Sequence, residues 1–293
     1  MYSQPQRPQG GASSRKEDAA PRRRHLYPAA HADRRPSHWW YWGRAIYVSR
    51  RDYWRITRAF LTAGLPLGAY GVLARDRRAF RWALRLAEVG FALLGYSLFG
   101  LYRMYGHPSM RYYQKLVQDA GLGLRGGLTI ADLHIGTWRT AYALADLLPE
   151  ATIHSVDCWN REGDAAEAAI ADVRDLEPAP DHPRIHPARA TDFGLPLASA
   201  SCDVVVFGFG THEIPEGEPR ERLFVEAERI LRPGGRVLLF EHGQDLHNFL
   251  IFGPVIHHVT KRDDWLRIMR AHFDDVRYAR SSAAVDLITA RRR

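Results

Sequence analysis

At 293 residues the chain has room for one large domain and an appendage. Its net charge of +8 is uneven: residues 1–58 carry 13 basic and 4 acidic side chains, and the remainder is close to neutral. The only two cysteines, Cys158 and Cys202, exclude a disulfide framework. No compact cluster of His, Cys and carboxylates occurs in the sequence, so no metal site is expected. The adjacent pair His257-His258 would point in different directions on a helix.

Residues 1–37 are rich in Pro, Gly, Ser, Gln and Arg and lack apolar periodicity. Such a segment cannot offset its ordering entropy, so a disordered basic arm is expected. It has no apolar h-region of a secretory signal. Residues 38–58 then interleave Trp39, Trp40, Tyr41, Trp42, Tyr47, Tyr53 and Trp54 with Arg44, Arg50, Arg51, Arg55 and Arg58. Amphipathic rings beside snorkelling arginines suit a membrane–water interface. The same mixture could stack on single-stranded nucleic acid. Two apolar runs follow and favour lipid: 59–74 has no charge, and 82–102 is interrupted only by Arg85 and Glu88, three apart and able to pair. A spanning helix needs about 20 apolar residues, and the first run is shorter and contains Pro66. The reading is a helical hairpin over 38–104, spanning or dipping into a membrane. The competing reading is a soluble helical cap over a substrate pocket.

Ser109 to Ala120 predicts a helix, and the glycine-rich stretch 121–127 is a hinge. Thr129 to Asn160 then reads strand, tight turn, helix, strand. Ile130, Ala131 and Leu133 are a buried apolar run with Asp132 near its end. His134 to Thr137 make the turn, and Ala141, Leu144, Ala145 and Leu148 recur at helical spacing. Ile153 to Val156 form a second strand, closed by Asp157. This is the first half of a nucleotide-binding α/β sheet with ligand over the strand C-termini, and a terminal acid suits a ribose.

Here the chain resembles the class I S-adenosylmethionine-dependent methyltransferases, whose turn reads D-x-G-x-G-x-G. Asp132, Gly136 and Asp157 are kept, while His134 and Trp138 replace the first and third glycines. Those glycines let backbone approach ligand, so two rings there either reshape or partly fill the cofactor pocket. The resemblance implies S-adenosylmethionine as cofactor and a doubly wound, Rossmann-like α/β seven-stranded sheet. Asp132, His134, Gly136 and Asp157 would contact the cofactor.

Beyond Asp157, Arg161 to Leu176 predicts a helix and Arg184 to Pro187 a short third strand. Residues 190–215 resemble the run G-D-A-x-x-L-P-F-x-x-x-S-F-D-x-V followed by a strand and H-H-x-P, with Leu195, Pro196, Ser201, Asp203, His212 and Pro215 in register. The resemblance puts the adenine-contacting acid at Thr191, with Asp192 one position late. Val204 to Phe207 are a buried parallel strand. Phe207 and Gly208 at its end would face the cofactor. His212 and Glu213 open the next loop, where a neutral imidazole suits proton removal; they are the candidate catalytic residues. Arg220 to Leu231 is an amphipathic helix ended by Arg232-Pro233-Gly234-Gly235 as stop and turn, and Arg236 to Phe240 is the fifth strand. Residues 246–259 are apolar again, a pocket lid, a bilayer contact or a core helix. Asp263 to His272 is a helix, and Val276 to Tyr278 with Val285 to Thr289 a closing hairpin.

The resemblance covers 108–293, and the α/β domain is assigned 105–293. The chain reads as a methyltransferase acting on a small lipophilic acceptor at the cytoplasmic face of a membrane, with membrane lipids as partners. The near-neutral α/β domain disfavours nucleic acid. Two alternatives stand beside it: an inactive methyltransferase-like scaffold, and a cofactor-bound cyclase.

Overall fold

Short strands rich in β-branched residues, each followed by a helix, can pair only in parallel, because every connection must cross back over the sheet. The computed structural model describes residues 36–123, 125–159, 168–177, 179–192 and 194–293. The expected disordered arm thus lies outside the described residues except for Pro36 and Ser37. In it β1 (Thr129–His134), β2 (Thr152–Asp157), β3 (Ile185–Arg189), β4 (Cys202–Phe207) and β5 (Leu231–His242) are parallel. The hairpin of β6 (Asp274–Arg280) and β7 (Val285–Arg291) completes a seven-stranded sheet of order β3-β2-β1-β4-β5-β7-β6, with β7 antiparallel to β5. The order reverses between β1 and β4, and the crevice over their C-terminal ends is where an open α/β sheet binds ligand.

Alternation along the central strands builds two cores. Ile130, Val204, Val206, Leu238 and Phe240 face α4 (Met110–Asp119) and α5 (Arg139–Leu147). Ala131, Leu133, Val205, Phe207 and Leu239 face α7 (Glu218–Ile230) and α9 (Arg262–His272). Burial on both faces is why Val204 to Phe207 is an unbroken apolar run. One expectation is corrected here. Arg232 to Gly235 does not lie between helix and strand but inside β5, because Leu231 already pairs with Cys202. The next registered pair is Val204 with Arg236, so residues 232–235 bulge out, and Gly234 supplies the positive φ of 71° the bulge needs.

Residues 36–105 form three helices, α1 (His38–Val48), α2 (Arg50–Leu73) and α3 (Arg77–Tyr105). Helix α2 extends well before the apolar run and continues through Pro66. Helices α2 and α3 pack as a hairpin through small residues: a Cβ on Gly71 would meet Phe80 backbone, and one on Gly90 would meet the Phe60 ring at 3.3 Å. Arg85 and Glu88 pair on α3 at 2.7 Å, as their spacing predicts. Its last turns enter the α/β core through Leu101 and Met104, both fully buried. The segment α8 (Leu246–Phe252) with its 3-10 extension Gly253–His258 wedges between this hairpin and the sheet. There Ile251 fills the space over Gly100, and the Ser97 hydroxyl donates to the Ile251 carbonyl.

Candidate active site

Over the C-terminal ends of β1, β4 and β5 lies a cavity of about 220 Å³, lined by His134, Ile135, Thr137, Arg139, Thr140, Gly208, Phe209, Gly210, His212, Glu213, His242 and His258 among others. Its roof is α1, which contributes Arg44, Ala45 and Val48. The aromatic-arginine belt is therefore divided in function. Tyr41 turns inward, its hydroxyl donating to Glu177 at 2.8 Å, and Arg44 pairs with the same buried carboxylate. Trp42 donates its indole N–H to the Leu98 carbonyl at 3.1 Å. Trp39 and Trp54 stay exposed.

The floor is the β1–α5 turn. His134 is buried, and its Nδ1 accepts the backbone N–H groups of Gly136 at 2.8 Å and Thr137 at 3.1 Å. Burial lowers its pKa to about 4, so the ring is neutral, as an accepting Nδ1 requires. Gly136 supplies a φ of 98°. Trp138 meets His134 edge to face at a centroid distance of 4.5 Å. The imidazole thus organises the turn from within, taking two N–H groups that would otherwise point outward.

At the end of β2, the Asp157 carboxylate is engaged by the Arg174 guanidinium through two bonds of 2.8 and 2.7 Å. Arg174 comes from α6 (Ala168–Leu176) and also donates to the Ile135 carbonyl at 2.8 Å. It lies against Gly136, where an added Cβ would come 2.6 Å from its Nη1. Arg139 is a buried cation with no ion-pair partner among the described residues. It donates to the Tyr112 hydroxyl and the Met104 carbonyl, both at 3.0 Å, and lies 5.3–5.6 Å from the rings of Tyr41, Tyr105 and Tyr113.

On the far side, His212 sits between two carboxylates: Nδ1 meets Glu241 at 2.8 Å and Nε2 meets Glu213 at 3.3 Å. Burial works against its charged form, but the carboxylates outweigh burial and raise its pKa to about 10. Burial would raise Glu213, yet its bonds to His212 and His258 pull it down to about 2. His242, at the end of β5, is the opposite case. Burial, helped by the neighbouring His212, holds its pKa well below 6.5, and its Nε2 lies 3.1 Å from the Tyr105 hydroxyl. Its ring stacks on Phe209 at 4.3 Å.

The comparisons with known proteins bear on this site. Residues 132–239 match the family model of a methyltransferase domain. That span is thus similar to methyltransferase domains. A curated relative, the ubiquinone/menaquinone biosynthesis C-methyltransferase UbiE of Syntrophotalea carbinolica, is 32% identical over 129 residues, covering 44% of this chain and 50% of that one. The chain thus spans about half the length of the curated relative it matches. Solved structures of similar fold include a SAM dependent methyltransferase from Aquifex aeolicus, at 16% identity and a TM-score of 0.47 over 61% of this chain and 89% of that one. Another is the N-methyltransferase NodS from Bradyrhizobium japonicum, at 12% identity and 0.43 over 64% and 97%.

Against the methyltransferase pattern, the structure gathers some expected site residues and disperses others. His134 lines the cavity, whereas Gly136 and Asp157 lie at the turn against Arg174 and do not line it. Asp132 does not line the cavity: it is fully buried between β1 and β2, accepting from Ser155 at 2.8 Å. Phe207 faces the opposite core, stacked on Phe224 at 4.6 Å, because strand alternation turns it away, so Gly208 and Phe209 take its place. Thr191 and Asp192 also lie outside the cavity, Asp192 pairing with Arg222 on the surface at 3.0 Å. His212 and Glu213 do line it, yet the cationic His212 has both nitrogens engaged and is no proton acceptor. Sequence reasoning missed Arg139, Arg174, Tyr105 and the pair Glu241-His242. The last carried a signal, since a polar pair ending a central parallel strand lies at the ligand crevice.

S-adenosylmethionine is the cofactor of such domains. The donor set fits it in kind: a terminal acid on β2, a positive-φ glycine turn, and the unpaired cation Arg139 at the N-terminus of α5. The cavity is smaller than the 300–1,000 Å³ common for such ligands. Arg174 covers both Asp157 and Gly136, beside the cavity wall formed by Ile135, Thr137 and Val173.

Proposed function

We propose that the protein transfers a methyl group from S-adenosylmethionine to a small, lipophilic, quinone-type acceptor at the cytoplasmic face of a membrane. The bound cofactor supplies an electrophilic methyl group on its sulfonium. Asp157 takes the ribose hydroxyls and Arg139 the amino-acid carboxylate, with α1 excluding water above them. Catalysis is then mainly orientation, which can supply several kcal/mol without acid–base help. Where the acceptor must lose a proton, neutral His242, aligned by Tyr105, takes it in place of His212.

The observation that carries this reading is a second, apolar groove of about 920 Å³ between α2, α3 and α8, lined by Phe60, Leu61, Leu94, Phe249 and others. Sequence neighbours line the two: Tyr53 and Gly253 the groove, Asp52 and Phe252 the polar cavity. A polar ring in one and an apolar tail in the other describe a prenylated hydroquinone, in keeping with the curated relative. The hairpin also exposes Leu65, Leu73, Trp82 and Phe91. Arg78, Arg81, Arg85 and Glu88 form one exposed stripe of α3 spanning about 80° of the helix, whereas Leu84 and Phe91 stand about 80–100° from its centre. That pattern suits a hairpin lying in the interface, stripe towards water, better than one crossing the bilayer with an ion pair in its middle.

The test supplies labelled cofactor with a prenylated hydroquinone or its tail-less parent. Transfer to both, with the prenylated compound saturating at a tenfold lower concentration or less, is expected. Equal saturation would remove the tail-binding role of the groove. The inactive-scaffold reading draws on the His134 and Trp138 rings that replace two glycines of the turn. It predicts no cofactor binding even when Arg174 is replaced.

A further inference from the structure

We propose that His212, Glu213 and His258 form a site for a divalent transition-metal ion of the zinc type, opening on the cavity. The ligand atoms come from two separate segments, the 3-10 turn Thr211–Glu213 after β4 and the end of the Gly253–His258 turn, and all lie within 4.8 Å of one another. The Nε2 atoms of both histidines converge on one carboxylate oxygen, Glu213 Oε1, at 3.3 Å from His212 and 3.2 Å from His258. With zinc–nitrogen and zinc–oxygen bonds of 2.0–2.2 Å, neighbouring ligands of a tetrahedron are roughly 3.3–3.5 Å apart. The two separations to Glu213 match that edge, and the two imidazoles need only close from within 4.8 Å of one another.

The outer contacts point the same way. His212 Nδ1 is held from behind by Glu241 at 2.8 Å, and His258 Nδ1 by the backbone carbonyl of Val255. A carbonyl can only accept, so His258 keeps a proton on Nδ1, and its Nε2 can turn a lone pair to an ion once the proton it shares with Glu213 leaves. Carboxylate–histidine–metal and carbonyl–histidine–metal relays are the usual support of ligating imidazoles. Two carboxylates, Glu213 and Glu241, offset the charge of a divalent ion, which would replace the Nε2 protons that now bond to Glu213. Two imidazoles and one carboxylate select zinc, cobalt or ferrous iron over magnesium or calcium, which prefer oxygen ligands. All three ligands line the cavity, so the fourth coordination position faces it beside His242. A hydroxyaromatic oxygen would complete the tetrahedron there; only this last clause rests on the proposed acceptor.

The test uses the full-length, untagged chain in detergent, stripped with chelator and titrated with Co²⁺. One equivalent per chain, with the intense visible absorption of a tetrahedral site and displacement by Zn²⁺, is expected. His258→Ala, at an exposed position, should weaken binding at least 100-fold, and Glu213→Gln should do likewise. Glu241→Gln should cost 10–100-fold, the usual effect of an outer-contact change. Asp157→Asn should leave Co²⁺ binding intact while changing cofactor affinity, which separates this site from the proposed activity. Absence of saturable binding, binding undiminished in a folded His258→Ala protein, or displacement by equimolar Mg²⁺ would each overturn the assignment.

Discussion

Replacing Arg174 with alanine should tighten S-adenosylmethionine binding. In the cofactor-free protein this guanidinium holds both oxygens of Asp157, at 2.8 and 2.7 Å, and covers Gly136. The ribose can reach Asp157 only after those two bonds break. Hydrogen bonds to charged groups contribute about 1.5–3 kcal/mol, and with the Arg174 side chain 24% exposed the lower end applies. Removing a competitor of about 1.5 kcal/mol lowers the dissociation constant roughly tenfold. Calorimetric titration of wild type and Arg174→Ala side by side reads this directly. Adding Asp157→Asn to the Arg174→Ala protein should abolish the gain. An Arg174→Ala protein that binds no more tightly than wild type would show that the bridge does not compete with the cofactor, and the reasoning would fail.

Asp132 makes stability depend on pH. Burial raises its pKa to about 7, against the opposing bond from Ser155, so the folded state binds a proton that the unfolded chain releases near pH 4. Its contribution is full below about pH 4 and is lost as pH rises through about 7; Asp132→Asn should flatten that part of a denaturation-versus-pH curve, and an unaltered slope would count against it. His134→Ala leaves one buried and one partly buried N–H group without their acceptor and should cost about 1–3 kcal/mol in urea unfolding; a neutral result would mean that the turn does not depend on the imidazole. The double change Leu65→Glu with Phe91→Glu, at two exposed positions, should abolish flotation with anionic vesicles without altering the fold by circular dichroism. Retained flotation would return the hairpin to the role of a soluble cap.

The sheet was legible because its signals are local. Apolar runs of strand length, a periodic helix and an acid closing β2 read directly along the chain, and the Val204 to Phe207 run shows burial on both faces. The site was only half legible, because its polar contacts are long-range. Nothing near Asp157 announces Arg174 17 residues on, and nothing near Glu213 announces His258 45 residues away. The substitution at His134 looks like damage when read against a glycine pattern. In three dimensions the ring replaces the missing flexibility with two hydrogen bonds to the turn. Phe207 was misplaced by one residue of strand alternation, and that single step turns a side chain from the crevice to the opposite core. The belt of rings and arginines reads uniformly as an interface, yet Tyr41 and Arg44 seek the buried Glu177. Composition cannot separate those two fates, because a long-range carboxylate decides them.

The most direct test of the account is calorimetric titration of S-adenosylmethionine into the full-length protein, paired with Asp157→Ala. The predicted result is saturable binding of one cofactor per chain, weakened by about 1–3 kcal/mol in the variant. Wild-type and Arg174→Ala proteins that both give no heat at millimolar cofactor would contradict it.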